Sequence, residues 1–212
     1  MDIPGPRPAL FSTAENLAQN GYLVVLPDLS YRLGSYTPQD VWAALGNNTW
    51  RPRFYDPPTN PDNFHSDIST VLAYIATLPD AKQPSVAAVG YCMGGTLSLC
   101  AAGTFPERVI AAASFHGGFL ASDEPYSPHR LASQMKARLY VGAAETDTMC
   151  PPEMLQKLRE TLDAAGVTHE IEVYPGTQHG WAMSDLPPYH REGAERHMVA
   201  LLRFLSETIK TA

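Results

Sequence analysis

Long apolar runs are missing from this sequence. No uninterrupted stretch approaches the roughly 18 residues that a bilayer-spanning helix needs, so a membrane-embedded chain is not expected. The N-terminus, Met1-Asp2-Ile3-Pro4-Gly5-Pro6-Arg7-Pro8, lacks the basic and apolar regions of a secretory signal and points to a cytoplasmic location. Basic charge is scarce too: 15 Lys and Arg against 22 Asp and Glu leave a net charge of −7, with no run of like charges. Neither nucleic acid nor an anionic membrane is therefore an expected partner. Cysteine is limited to Cys92, Cys100 and Cys150, an odd number without zinc-site spacing, which argues against a disulfide framework and leaves free thiols. Charged residues make up only 17% of the chain, below the usual ~25%, while prolines are over-represented. That combination predicts a folded body with proline-stiffened loops, and the length suits a single domain with its own core.

Helix and strand signals alternate along the chain. Ser12-Thr13-Ala14-Glu15 has the spacing of a capping box, followed by Leu17 and Ala18, with Gly21 placed as a C-cap glycine. Tyr22 to Leu26 reads as a buried strand. Ser66 is the candidate cap of a helix with Ile68, Val71, Leu72, Ile75 and Leu78 on one face, and Ser85 to Gly90 is the next strand. A helix from Met93 to Ala102 precedes a strand from Val109 to Ala113. A short helix near Leu131 to Lys136, a strand from Arg138 to Gly142 and a helix carrying Met154, Leu155, Leu158 and Leu162 follow, the last ended by Gly166. Glu170 to Tyr174 is the last strand, and Ala194, Met198, Leu201, Leu202, Leu205 and Ile209 mark a C-terminal helix. Five apolar strands alternating with helices predict an α/β architecture, a parallel sheet covered by helices on both faces. The segment from Gly34 to Asn63 stands out, with five prolines and the aromatics Trp42, Trp50, Phe54 and Tyr55 but only one helix signal, at Thr37-Pro38-Gln39-Asp40. It reads either as a lid or pocket wall, or as a loop that packs its own aromatics.

Ligands of such sheets bind beyond the carboxyl ends of the strands, and the chemistry-bearing residues fall there. Gly90-Tyr91-Cys92-Met93-Gly94-Gly95 lies where a strand turns into a helix, the context of a nucleophile elbow, with a thiol as nucleophile. Glycines on both sides permit the close approach of strand and helix. The helix N-terminus favours a thiolate and aims the Met93 amide at the place where an oxyanion forms. Asp147 follows the strand ending at Gly142 and His179 follows the one ending at Tyr174. The order nucleophile, acid, histidine is that of the α/β-hydrolases, with Asp147 preferred over Glu145 as the acid. His65, His116, His129, His169, His190 and His197 show no metal-ligand spacing, and no metal or other cofactor is expected.

The cysteine elbow, the loop ending in Asp147, His179-Gly180-Trp181, Pro27-Asp28-Leu29 and Tyr31-Arg32 resemble the dienelactone hydrolase (carboxymethylenebutenolidase) family over nearly the whole chain. The resemblance implies a Cys92, His179, Asp147 triad and an oxyanion hole from the amides of Met93 and Ile3. It places Arg32 on a substrate carboxylate, with Tyr31 and Trp181 beside the substrate, and Asp2 where the family has an acidic residue that contacts the resting thiol. Two departures stand out. Met183 occupies the position of a second substrate-binding arginine, and Asp2-Ile3-Pro4-Gly5 aligns with a loop that follows a central strand. By resemblance, then, residues 1–212 are a single α/β-hydrolase domain whose first strands are missing, with unpaired edges expected at Tyr22 to Leu26 and at Ser85 to Gly90. The expected activity is hydrolysis of a small ester or lactone through a thioester. The alternatives are a carboxylesterase or thioesterase acting on another small acyl substrate, and, from another class, an inactive fragment or non-catalytic small-molecule-binding protein.

Overall fold

Proline at the first helical position decides where the helices of the N-terminal half begin. In the computed structural model, which describes residues 1–81 and 84–209, helix α1 spans Pro8–Gln19, with Arg7 before it. Pro8 sacrifices no intrahelical hydrogen bond there and presets the helical φ. The expected start at Ser12 is therefore one turn too late, and Ser12 to Glu15 lie inside the helix. The end is as expected: Gly21 takes φ +89°, and the Gly21 and Tyr22 amides donate to Ala18 and Leu17 at 2.9 and 3.3 Å, closing a Schellman motif. The same displacement recurs in α4, Pro61–Thr77, whose cap is Asn60 rather than Ser66. The Asn60 side chain accepts from the Asp62 and Asn63 amides, each at 3.1 Å.

The segment between these helices is more helical than its prolines suggest. Helix α2, Pro38–Gly46, carries the expected capping box: the Thr37 amide donates to Asp40 at 2.7 Å, and the Asp40 amide returns to the Thr37 hydroxyl. A π turn, Arg51–Tyr55, and the short α3, Asp56–Thr59, follow. The aromatics pack on one another, Trp50 edge-on to Tyr55 and Tyr36 against Phe54, with Phe54 and Tyr55 fully buried. Tyr22 to Leu26, expected as a buried strand, forms no ladder among the described residues, and Leu23 is 51% exposed. Its apolar residues suit a strand, but an extended segment becomes one only when a neighbour completes its hydrogen bonds.

The chain divides into two compact units, Met1–Lys82 and Gln83–Ala212. The second is built on four parallel strands in the order β1, Val86–Tyr91; β2, Val109–Phe115; β3, Arg138–Thr146; β4, His169–Gln178. Tyr91 pairs with Phe115, Phe115 with Gly142, and Thr146 with Gln178, so all four carboxyl ends share one edge. Among the described residues, strand β1 has a partner on one side only. Strands β3 and β4 run past their predicted ends because pairing resumes at Thr146 after an irregularity beyond Ala144. Helix α5, Met93–Thr104, packs on β1 and β2 and is buried from Met93 to Gly103; its apolar character all round fits that environment. Helix α6, Pro152–Ala164, ends in a second Schellman motif at Gly166, and α7, Arg191–Thr208, packs against β2, β3 and β4. Among the described residues, no helix is long and apolar enough to cross a membrane.

Candidate active site

Each strand of the sheet is followed at once by a residue of the site. Cys92 comes after β1, His116 after β2, Asp147 after β3 and His179 after β4. Cys92 takes φ 52° and ψ −122°, a conformation L-residues rarely adopt. Gly90 makes the turn sterically possible: a Cβ there would lie 1.8 Å from the Gly94 carbonyl oxygen. Gly95 opens the second approach, since its Cβ would meet the Ser114 hydroxyl at 2.6 Å. The Cys92 carbonyl accepts from the Gly95 and Thr96 amides, which starts α5. Its own amide is shared between the Phe115 carbonyl at 3.1 Å and His116 Nδ1 at 3.2 Å. Among the described residues nothing accepts from the Met93 amide, which stands at the N-terminus of α5 where a negative oxygen is favoured.

Asp147 is almost wholly buried, and its two oxygens have separate tasks. Oδ1 accepts from the Met149 and Cys150 amides at 2.8 and 3.3 Å, while Oδ2 lies 2.7 Å from His179 Nδ1. The carboxylate therefore fixes the imidazole by Nδ1 and leaves Nε2 for the site, where it is buried without an oxygen or nitrogen partner among the described residues. Burial works against the charged form of His179, but its interactions with Cys92 and with the Asp147 carboxylate outweigh that and push its pKa up to about 10. Glu145, the rival acid, points elsewhere and accepts from the Gly176 amide at 3.0 Å. A thiol, an imidazole and a carboxylate at the carboxyl ends of parallel strands are the groups that nucleophilic catalysis combines, the carboxylate orienting the ring without taking its proton.

Trp181 is fully buried, stacked on Tyr174 at 4.3 Å and edge-on to His116 at 5.8 Å. His116 shows no metal-ligand spacing in the sequence. Only strand register shows that it occupies the same first position beyond its strand as Cys92, Asp147 and His179. The other predicted site residues belong to the first unit. There Asp2 is held in a buried bidentate ion pair with Arg7, at 2.6 and 2.8 Å, and Ile3 is buried beside it in the chain. Arg32 forks onto both oxygens of Asp67 at 2.5 and 2.7 Å, and the Tyr31 hydroxyl donates to the same carboxylate at 3.1 Å. The guanidinium is thus already engaged with a carboxylate of the protein itself.

A parallel sheet with a strained cysteine elbow and with an acid and a histidine on later strand ends defines an α/β-hydrolase, an ester hydrolase by class. The chain belongs to the dienelactone hydrolase family, whose model matches residues 2–209. A Synechocystis protein provisionally named carboxymethylenebutenolidase is 26% identical over 201 residues, covering 91% of this chain and 78% of that protein. The hydrolase tropI of Talaromyces stipitatus is 27% identical over 189 residues, 86% of this chain and 68% of its own. In fold, the chain is similar to a Klebsiella pneumoniae structure provisionally named dienelactone hydrolase, with a TM-score of 0.79 at 23% identity, covering 97% of this chain and 83% of that one.

Proposed function

We propose that the protein hydrolyses a small ester or lactone through a thioester on Cys92, with His179 as acid and base and Asp147 as its orienter. The observation that carries this reading is the 2.7 Å contact between Asp147 and His179 Nδ1 at the strand ends that also present the Cys92 elbow. The reacting pair in this mechanism is the Cys92 thiolate with the His179 imidazolium. The thiolate attacks the acyl carbon and the carbonyl electron pair moves to oxygen, where the Met93 amide stabilises it. Collapse expels the alkoxide, which takes the proton from His179 Nε2 and leaves as the alcohol. Neutral His179 then removes a proton from water, hydroxide adds to the thioester, and the carboxylic acid departs as the thiolate and imidazolium return. Ester and water become acid and alcohol, with no cofactor invoked.

The role that the family resemblance gives Arg32, holding a substrate carboxylate, competes with its engagement by Asp67, so the variant of this reading that needs no such contact is a neutral acyl substrate rather than an anionic lactone. Met183 in place of a second arginine points the same way. Turnover of p-nitrophenyl acetate and of a simple lactone, with mass spectrometry of the quenched enzyme, tests the reaction. Wild type should carry an acyl adduct on Cys92, and Cys92→Ala should lose both adduct and turnover; undiminished turnover in that variant would refute the mechanism. If Asp67 occupies Arg32, Asp67→Asn should raise kcat/KM for a carboxylate-bearing ester relative to a neutral one, and equal changes for the two would remove Arg32 from substrate selection.

A further inference from the structure

We propose that His116 is a positioning residue for the nucleophile elbow: its imidazole accepts the Cys92 amide through Nδ1 and braces the ring of His179, holding thiol and base in register. The inference rests on the reading of Cys92 as nucleophile and adds a fourth residue to its machinery. The ring meets the Cys92 amide through Nδ1, and among the described residues its Nε2 is buried without a partner. A histidine kept merely to fill the core would leave a strained neighbour to fend for itself. Here the ring nitrogen Nδ1 accepts from the residue with φ 52°. Residues in sparsely populated conformations persist only where the surroundings over-determine them.

The loop that His116 begins ties the elbow to the acid. His116 and Phe119 both take positive φ, at 39° and 57°. Between them Gly117 and Gly118 lie against the first turns of α5: a Cβ on Gly95 would come within 3.0 Å of Gly117 Cα, and the Thr96 hydroxyl donates to the Gly118 carbonyl at 2.5 Å. At the far end the Phe119 amide donates to the Met149 carbonyl at 2.7 Å, and the Met149 amide donates to Asp147 at 2.8 Å. One short loop therefore fixes both the backbone of the nucleophile and the loop of the orienting acid. The ring itself lies edge-to-face against His179, with centroids 5.4 Å apart, and is enclosed on its other sides by Tyr91 and Trp181. Burial, and the charges of His179 and His197 nearby, hold its pKa well below the ordinary histidine value. Its Nδ1 lone pair thus remains available while His179 carries the proton.

The role requires one tautomer, with the proton on Nε2 and none on Nδ1. Side-chain nitrogen NMR of the wild-type protein should find His116 in that form at neutral pH; a protonated Nδ1 would overturn the proposal. In parallel, His116→Phe keeps an aromatic ring but removes the acceptor, whereas His116→Asn places an amide oxygen near the position of Nδ1 and tolerates positive φ. For p-nitrophenyl acetate, His116→Phe should lose about 100-fold in kcat at nearly unchanged KM, the cost of a misplaced reacting group. Iodoacetamide labelling of Cys92 in the same variant should slow about 10-fold, and His116→Asn should recover most of both rates. A folded His116→Phe protein with wild-type kcat and labelling rate would show that His116 only fills the core. Labelling and the tautomer need no ester. If no ester were turned over by the wild type while labelling still depended on His116, the hydrolase reading would fall and the positioning role would stand. If His116→Phe does not fold, the tautomer and the labelling rate of His116→Asn decide, since a slow His116→Asn would refute the acceptor role.

Discussion

Replacing Asp147 by asparagine changes one atom, and the structure dictates which way the new side chain must face. Oδ1 accepts from two amides, Met149 and Cys150. An asparagine that turned its NH2 group toward those donors would leave both unpaired in a buried site, at about 1–3 kcal/mol for each unsatisfied group. The carbonyl oxygen therefore stays with the loop, and the NH2 group faces His179 Nδ1, which now has to accept. The imidazole is driven into the tautomer with its proton on Nε2, and such a ring cannot take a proton from water. Acylation loses the anion that favours the imidazolium, and deacylation loses its base. A wrong tautomer held in otherwise intact geometry has a scale of about 10⁴ in turnover. Asp147→Ala, which leaves the tautomer free, should deacylate faster than Asp147→Asn despite its larger structural change. The assay is release of p-nitrophenol after mixing, followed by mass spectrometry of the quenched protein: Asp147→Asn should accumulate acylated Cys92 where wild type turns over. Because the carboxylate helps raise His179, the alkaline limb of kcat/KM, near pH 10 in the wild type, should move to lower pH in both variants. Deacylation of Asp147→Asn within about 10-fold of wild type would refute the tautomer argument.

Iodoacetamide should label Cys92 well before Cys100 or Cys150, whose thiols are buried and pushed up to about 12; equal labelling of the three in the folded protein would count against the assignment. His197 is buried, accepts from the Tyr91 hydroxyl at 3.1 Å and is held at about 4 by burial. Its folded pKa lies below the ordinary 6.5, so its contribution is complete above that value and lost as pH falls through about 4, a loss of about 3 kcal/mol by pH 4. Melting temperatures between these pH values should fall in the wild type and fall less in His197→Phe, and parallel curves would remove His197 as the cause. Gly90→Ala brings a methyl group 1.8 Å from a backbone oxygen that cannot swing aside. It should cost at least the 1–3 kcal/mol typical of overpacking and abolish turnover by separating β1 from α5; a variant that melts and turns over like wild type would show the elbow tolerates a Cβ.

Local signals were readable wherever a residue's role is settled by its immediate neighbours. Gly21 and Gly166 end helices because each takes a positive φ one residue past the cap, a conformation open to glycine and closed to most other residues. Thr37 and Asp40 cap α2 because a reciprocal bond at that spacing involves only one turn of chain. The same logic misplaced two other starts. Ser12 and Ser66 are good caps in isolation, but Pro8 and Pro61 begin their helices earlier, and a helix once begun runs through a second cap signal without stopping.

The three residues in the order cysteine, aspartate, histidine were legible because each lies next to a strand whose apolar run announces it, and parallel strands bring their carboxyl ends to one edge. Pairing across distance was not legible. Tyr22 to Leu26 has the composition of a strand, yet strand formation belongs to a ladder and not to a segment. Arg32 reads as a cation open to a substrate until Asp67, thirty-five positions on, is found in its fork. His116 carries no motif, and only the register of Phe115 against Tyr91 and Gly142 brings its ring to the Cys92 amide. Sequence by itself determined which residues could do the chemistry and at which strand ends they lie, since that information is local. Tertiary structure alone decided which charges are already paired and which ring meets the Cys92 amide, since those depend on contacts between residues that the chain keeps far apart.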